Sequence, residues 1–181
     1  MSSDLFFWVL SRVAGLTCFA ALSIAILSGI AIRTAVFDRL ASNRSLKATH
    51  EFTSILWVPL GLLHLIALVL DHTARISLTD LVIPFAASYD QLGRVAIGLG
   101  ALSFDLFVVI AITSWMRGRL NQRLWRYLHR LSYVAFGLLF LHAVLGGTDF
   151  SAPLVSAIAW AAATMLAVLA LARAFWGRLP A

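Results

Sequence analysis

Five stretches of the chain stay apolar for about the length of a bilayer crossing, at residues 7–32, 50–70, 93–115, 127–146 and 152–175, each bounded by charged residues or by glycine and proline. A helix needs roughly 20 such residues to cross the hydrocarbon layer. The pattern therefore predicts an all-α integral membrane protein, a bundle of five transmembrane helices joined by short loops. The spans and their loops use nearly all of the 181 residues, so a single domain over 1–181 is expected. The longest connection, 71–92, contains Pro84 and the apolar segment 81–87, expected to be a short interfacial element or partner contact on the outer surface. The first stretch, 5–32, exceeds a signal-peptide core and lacks a basic leading region, so it is expected to be a retained helix.

Charge orients the spans. Arg33, Arg39, Arg44 and Lys47 lie between the first and second, Arg117, Arg119, Arg123 and Arg126 between the third and fourth, and Arg173 and Arg178 at or after the end of the fifth. These segments are expected to be cytoplasmic. Asp4, Asp71, Asp80, Asp90 and Asp149 fall on the other side, which puts the N-terminus outside and the C-terminus in the cytoplasm. Trp8, Trp115, Trp125 and Trp176 sit near span ends, at headgroup level, whereas Trp57 and Trp160 do not. Composition agrees: 61% of residues are apolar and 12% charged, and the mean hydropathy is +0.92, values that exclude an ordinary soluble domain. The net charge of +6 is spread over short juxtamembrane loops, which fits topology and anionic membrane lipid and not nucleic acid. A multi-pass protein of the cell (inner) membrane is expected. The single cysteine, Cys18, lies in an apolar run and reads as packing.

Four of the five histidines fall in two spans, His50 and His64 in the second and His129 and His142 in the fourth. Ionisable side chains within apolar spans are costly and face the bundle interior or a functional site. The interval from His50 to His64 is about 21 Å along a helix and returns to within roughly 40° of the same face. Spans two and four are separated by one helix and so run parallel, which brings His50 level with His129 and His64 level with His142. Paired imidazoles fill both axial positions of haem iron and leave a low-spin centre suited to electron transfer. The alternatives are core histidines bonded to neighbouring helices and a zinc site, but zinc needs three or four ligands around one ion, and residues so far apart on one helix cannot meet there. Two haem b groups, stacked about 20 Å apart between irons, are expected. The interval from His129 to His142 leaves those residues roughly 140° out of line in an ideal helix, so a kink or π-bulge near Gly137 is expected; Pro59 occupies the corresponding interval in span two.

The chain resembles the ferric reductase-like transmembrane domain, the haem-binding core shared by NADPH oxidases, ferric reductases and the membrane haem subunit of bacterial methionine sulfoxide reductase. The resemblance covers nearly the whole chain. It rests on Ser11-Arg12-Val13-Ala14-Gly15, the interval from His50 to His64, Gly93, Thr113-Ser114, and Trp125-Arg126-Tyr127-Leu128-His129-Arg130-Leu131-Ser132-Tyr133 leading to His142. It implies the same pairing as topology, His50 with His129 and His64 with His142. Oxidases and ferric reductases continue into flavin and nicotinamide domains, whereas this sequence ends at Arg178-Leu179-Pro180-Ala181 and contains no glycine-rich dinucleotide fingerprint. The expected electron donor is therefore a separate molecule: a quinol from the quinone pool, a flavin on a soluble protein, or a partner subunit. Family members that stop at the membrane domain pass electrons to an extracytoplasmic partner. The expected function is that of a haem b electron-transfer subunit of an oxidoreductase. The alternatives are a single-haem, quinol-linked subunit of a periplasmic reductase system, a histidine-based metal or proton transporter, and a haem-free assembly subunit.

Other polar residues carry weaker expectations. Arg12, Arg94 and Arg75 outside, and Arg44, Lys47, Arg126 and Arg130 inside, are candidates for haem propionates or for solvated roles. His72 is expected to be an interfacial histidine, with a third outer ligand and a proton or quinone contact as alternatives. Asp105 is the only acid well inside a span; packing against Ser103 or a span-one hydroxyl and a proton path are the two readings. Trp57 and Phe136 lie midway between the histidines of their spans, either between two haems or in ordinary core.

Overall fold

The computed structural model describes residues 3–34 and 41–176. Arg39 and Arg178, and the side chains of Arg173 and Trp176, lie outside the described residues. The elements are α1 (Ser3–Thr34), α2 (Asn43–Leu70), a short α3 (Leu78–Val82), α4 (Gln91–Trp115), α5 (Gln122–Gly146), a 3₁₀ turn (Thr148–Ser151) and α6 (Pro153–Trp176). Five of them are long and apolar enough to cross a membrane. In hydrocarbon every backbone polar group must be satisfied within the segment, which a helix does by itself. The protein is thus an all-helical, multi-pass membrane protein. Ile55 (69% exposed), Leu154 (73%) and Trp115 (85%) present apolar side chains outward, a surface that lipid covers and water would not favour.

Helices α2, α4 and α5 begin before their apolar stretches, because polar caps extend their starts. Ser42 accepts from the Ser45 N–H at 3.2 Å, Asp90 from the Gly93 N–H at 3.2 Å and Asn121 from the Arg123 N–H at 2.8 Å. Each satisfies an otherwise orphaned donor at a helix start. Helix α2 therefore opens at Asn43 and carries His50 two turns in. It stays helical through Pro59. The π-bulge expected near Gly137 is absent: α5 is α-helical throughout, from Gln122 to Gly146.

The chain divides into two compact units, Met1–Asp71 with Ala157–Ala181, and His72–Ser156. In the first, α1 and α2 pack antiparallel. The buried residues of α1 include Ser11, Ala14, Cys18, Ala21, Ala25 and Ser28, spaced alternately by three and four. That is one helix face made of small side chains, the arrangement that lets membrane helices bring their backbones close. Opposite them α2 buries Thr53, Trp57, Gly61 and Ala67. Cys18 donates its thiol to the Trp57 carbonyl at 3.6 Å, so it packs, as expected.

In the second unit α4 and α5 pack antiparallel, pinned at mid-length by Ser103, whose hydroxyl donates to the Ala135 carbonyl at 2.9 Å. Ser103 is thus committed across the helix pair and not to Asp105, which is half-buried. Segment 81–87 forms the end of α3 and a turn. Ser77 and Asp80 cap α3 reciprocally, and Phe85, with a left-handed φ of 66°, lays its ring over Gly98 of α4. A Cβ at Gly98 would meet that ring at 2.1 Å, so only glycine admits it.

Candidate functional site

Within the first unit, both histidines of α2 point at α1. His50 donates its Nδ1–H to the Ala25 carbonyl at 2.7 Å, and His64 donates to the Ser11 carbonyl at 2.7 Å. A carbonyl only accepts, so Nδ1 carries a proton, which in a neutral imidazole leaves the lone pair on Nε2. Each acceptor already serves its own helix. A second donor reaches it because the residue one turn on has no side chain: Gly15 follows Ser11 and Gly29 follows Ala25. Cβ atoms tilt toward the helix N-terminus and so overhang the preceding turn. A Cβ at Gly15 would lie 3.0 Å from His64 Nδ1, and one at Gly29 would lie 3.1 Å from His50 Cε1.

The second unit repeats this once. His142 of α5 donates its Nδ1–H to the Ala96 carbonyl of α4 at 2.8 Å, and a Cβ at Gly100, one turn after Ala96, would lie 2.6 Å from His142 Nδ1. His129 is held differently. Its Nδ1 meets the Ser114 hydroxyl at 3.3 Å, where either atom can donate. Its ring stacks on Trp125, 5.1 Å between centroids and 25° between planes, and Arg117 lies over the Trp125 ring at 5.4 Å. The Trp125 indole N–H is buried without a hydrogen-bond partner. The offset in phase between His129 and His142 is met by these side-chain contacts, without local widening of the helix. All four imidazoles are half-buried.

Other candidates are placed as follows. Trp57 and Phe136 are buried in their own units. Arg12 lies over the Trp8 ring at 4.0 Å, while Arg94 and Arg75 are exposed, as is His72, in the turn after α2. Among the described residues no three of His, Cys, Asp and Glu gather as a metal-holding group.

An all-helical membrane protein with imidazoles fixed in this way defines a class, multi-pass proteins with histidine-bearing spans. The chain belongs to the family described as Domain of unknown function (DUF8596), which matches residues 6–149. It is also similar to the protein-methionine-sulfoxide reductase heme-binding subunit MsrQ of Herminiimonas arsenicoxydans, 38% identical over 92 residues, 48% of this chain and 39% of the relative. The match thus spans well under half of that relative's length. No solved structure matches.

Sequence reasoning found the four imidazoles but missed what holds them. Ser11, Gly15 and Ser114 drew notice only through the resemblance; Ala25, Gly29, Ala96 and Gly100 drew none. The interval from Gly15 to Gly29 equals that from His50 to His64, which is the trace an antiparallel pair of such contacts leaves in a sequence.

Proposed function

We propose that this protein is a haem b electron-transfer subunit of the inner membrane, carrying electrons across the bilayer through two bis-histidine haems to or from a separate redox partner. The observation that carries the reading is the Nδ1–H to carbonyl bond of His50, His64 and His142. A metal-ligating histidine characteristically donates its other ring N–H to such an acceptor, which fixes the tautomer and aims Nε2. Two more observations support haem. No group of three or more ligands gathers among the described residues, which suits an iron that needs only axial ligands. The buried, unpaired Trp125 N–H beside His129 is a donor that a propionate oxygen would satisfy. The heme-binding relative supports the same cofactor and suggests a reductase partner. On this reading His50 pairs with His129 and His64 with His142, the pairing that topology implies. When bound, haem supplies one-electron redox chemistry; the protein's part is to hold the imidazoles and keep the surroundings apolar.

Dithionite-reduced, purified protein is expected to give the sharp visible bands of low-spin haem b, and a pyridine haemochrome assay about two haems per chain. Absence of those bands would favour a metal or proton transporter. One observation favours the single-haem alternative: His129 has a longer contact to a hydroxyl in place of a carbonyl. About one haem per chain in the same assay would select it.

The reading places the α4–α5 loop in the cytoplasm. A Gly118→Cys thiol tests this, since a side chain there meets nothing within 4 Å and the native Cys18 is buried. An impermeant maleimide is expected to label it in inverted vesicles and not in intact cells. The reverse result would invert the orientation.

A further inference from the structure

Three of the four imidazoles sit in the same local device: a helix carbonyl accepting the Nδ1–H, and a glycine one turn later that leaves the carbonyl open from the side. The three instances use different acceptors, Ser11, Ala25 and Ala96, so the acceptor's residue type is immaterial and the glycine is the element in common. The glycines are not needed for backbone conformation, since all three lie within α-helices. There alanine would serve the backbone at least as well. Their presence at these positions therefore asks for a reason in packing, and the nearest side chain in each case is the imidazole.

We propose that Gly15, Gly29 and Gly100 are positioning residues, each forming a seat that holds one haem-ligating histidine with Nδ1–H on a carbonyl and Nε2 presented to iron. The proposal rests on the haem reading given above. A methyl group in the seat displaces the ring from its acceptor. The imidazole then loses the hydrogen bond that fixes its tautomer and makes it a stronger electron donor. The displacement is graded by the contact distances. At Gly100 a Cβ would lie 2.6 Å from Nδ1 and 2.8 Å from Cε1 of His142, closer than such atoms approach, so the ring must leave. At Gly15 and Gly29 the nearest contacts are 3.0 and 3.1 Å, and a shift of a few tenths of an ångström relieves them. Gly118 and Gly137, where a Cβ meets nothing within 4 Å, are internal controls.

The test is a series of single alanine variants in the full chain, purified alongside wild type, with haem content, low-spin electron paramagnetic resonance g-values and redox midpoints measured on each. Gly100→Ala is expected to weaken retention of one haem by about 10- to 100-fold, the usual effect of removing support from behind a metal ligand. Gly15→Ala and Gly29→Ala are expected to keep haem but shift the g-values and the midpoint of one haem each. Gly118→Ala and Gly137→Ala are expected to match wild type. A general loss of stability would leave the g-values and midpoints of the haem that is retained unmoved, so it cannot imitate the shifts expected of Gly15→Ala and Gly29→Ala. If Gly100→Ala does not fold, Gly15→Ala decides: unchanged g-values and midpoint overturn the proposal. Haem-loaded wild type with Gly100→Ala indistinguishable from it overturns the seats alone. Wild type without haem overturns the haem reading and the seats together.

Discussion

Replacing His142 with alanine is expected to abolish one low-spin haem, and replacing His64 is expected to abolish the same one. Each imidazole is half-buried and anchored through Nδ1, His142 on Ala96 and His64 on Ser11. On the proposed haem reading, alanine would leave the iron with a single axial imidazole in an apolar surrounding, where haem is weakly held or high-spin. Both variants are expected to retain about half the wild-type haem, with the same residual spectrum. His50→Ala and His129→Ala are expected to form a second matched pair with a different residual spectrum. The comparison is read from pyridine haemochrome content together with the reduced spectrum at low temperature. A match between His64→Ala and His129→Ala would break the proposed pairing. His72→Ala is expected to resemble wild type, because that side chain is exposed in the turn after α2; loss of haem there would assign it as a ligand and overturn the set of four.

What the sequence disclosed and what it concealed follow from which groups do the work. The spans were legible because the bilayer imposes a length and a composition that few other constraints imitate. Their ends were less so: α2 starts at Asn43, not 50, because Ser42 caps it with a hydroxyl that hydropathy counts as polar. The histidines stood out because ionisable groups are rare in spans. Their acceptors did not, since a main-chain carbonyl is supplied by every residue and leaves no letter in the sequence. Ala25 and Ala96 look like any other alanine of an apolar helix. Helical phase showed that His129 and His142 cannot share one face of an ideal helix, but not which of the two is held differently, and the π-bulge expected from it is absent. The α-helix of α5 runs unbroken past Gly137, and the exception appears in the contacts of His129, with Ser114 and Trp125 in place of a carbonyl and a glycine.

The close approach of α1 and α2 leads to an effect that no single ligand change imitates. Ala21→Leu is expected to impair both haems at once. Ala21 is 4% exposed and lies on the small-residue face between the two seats, with Ser11 and Gly15 on one side and Ala25 and Gly29 on the other. Added methylenes in such a seam find no space. At Cys18, one turn before Ala21, the thiol is already in contact with the Trp57 carbonyl. Overpacking of this kind costs about 1–3 kcal/mol, and the strain is relieved by moving α2 away from α1. The bonds from His50 to Ala25 and from His64 to Ser11, both 2.7 Å, leave little slack, so separation of the helices lengthens the two together. The expected measurement is a joint fall in both haem populations in the reduced spectrum, with a lower temperature of haem loss. Val13→Leu, on the exposed side of α1 at 57% exposure, places the same leucine side chain outside the seam and is expected to leave both populations at wild-type level. Loss of only one haem in Ala21→Leu would mean that the two histidines of α2 are positioned independently of the α1–α2 spacing.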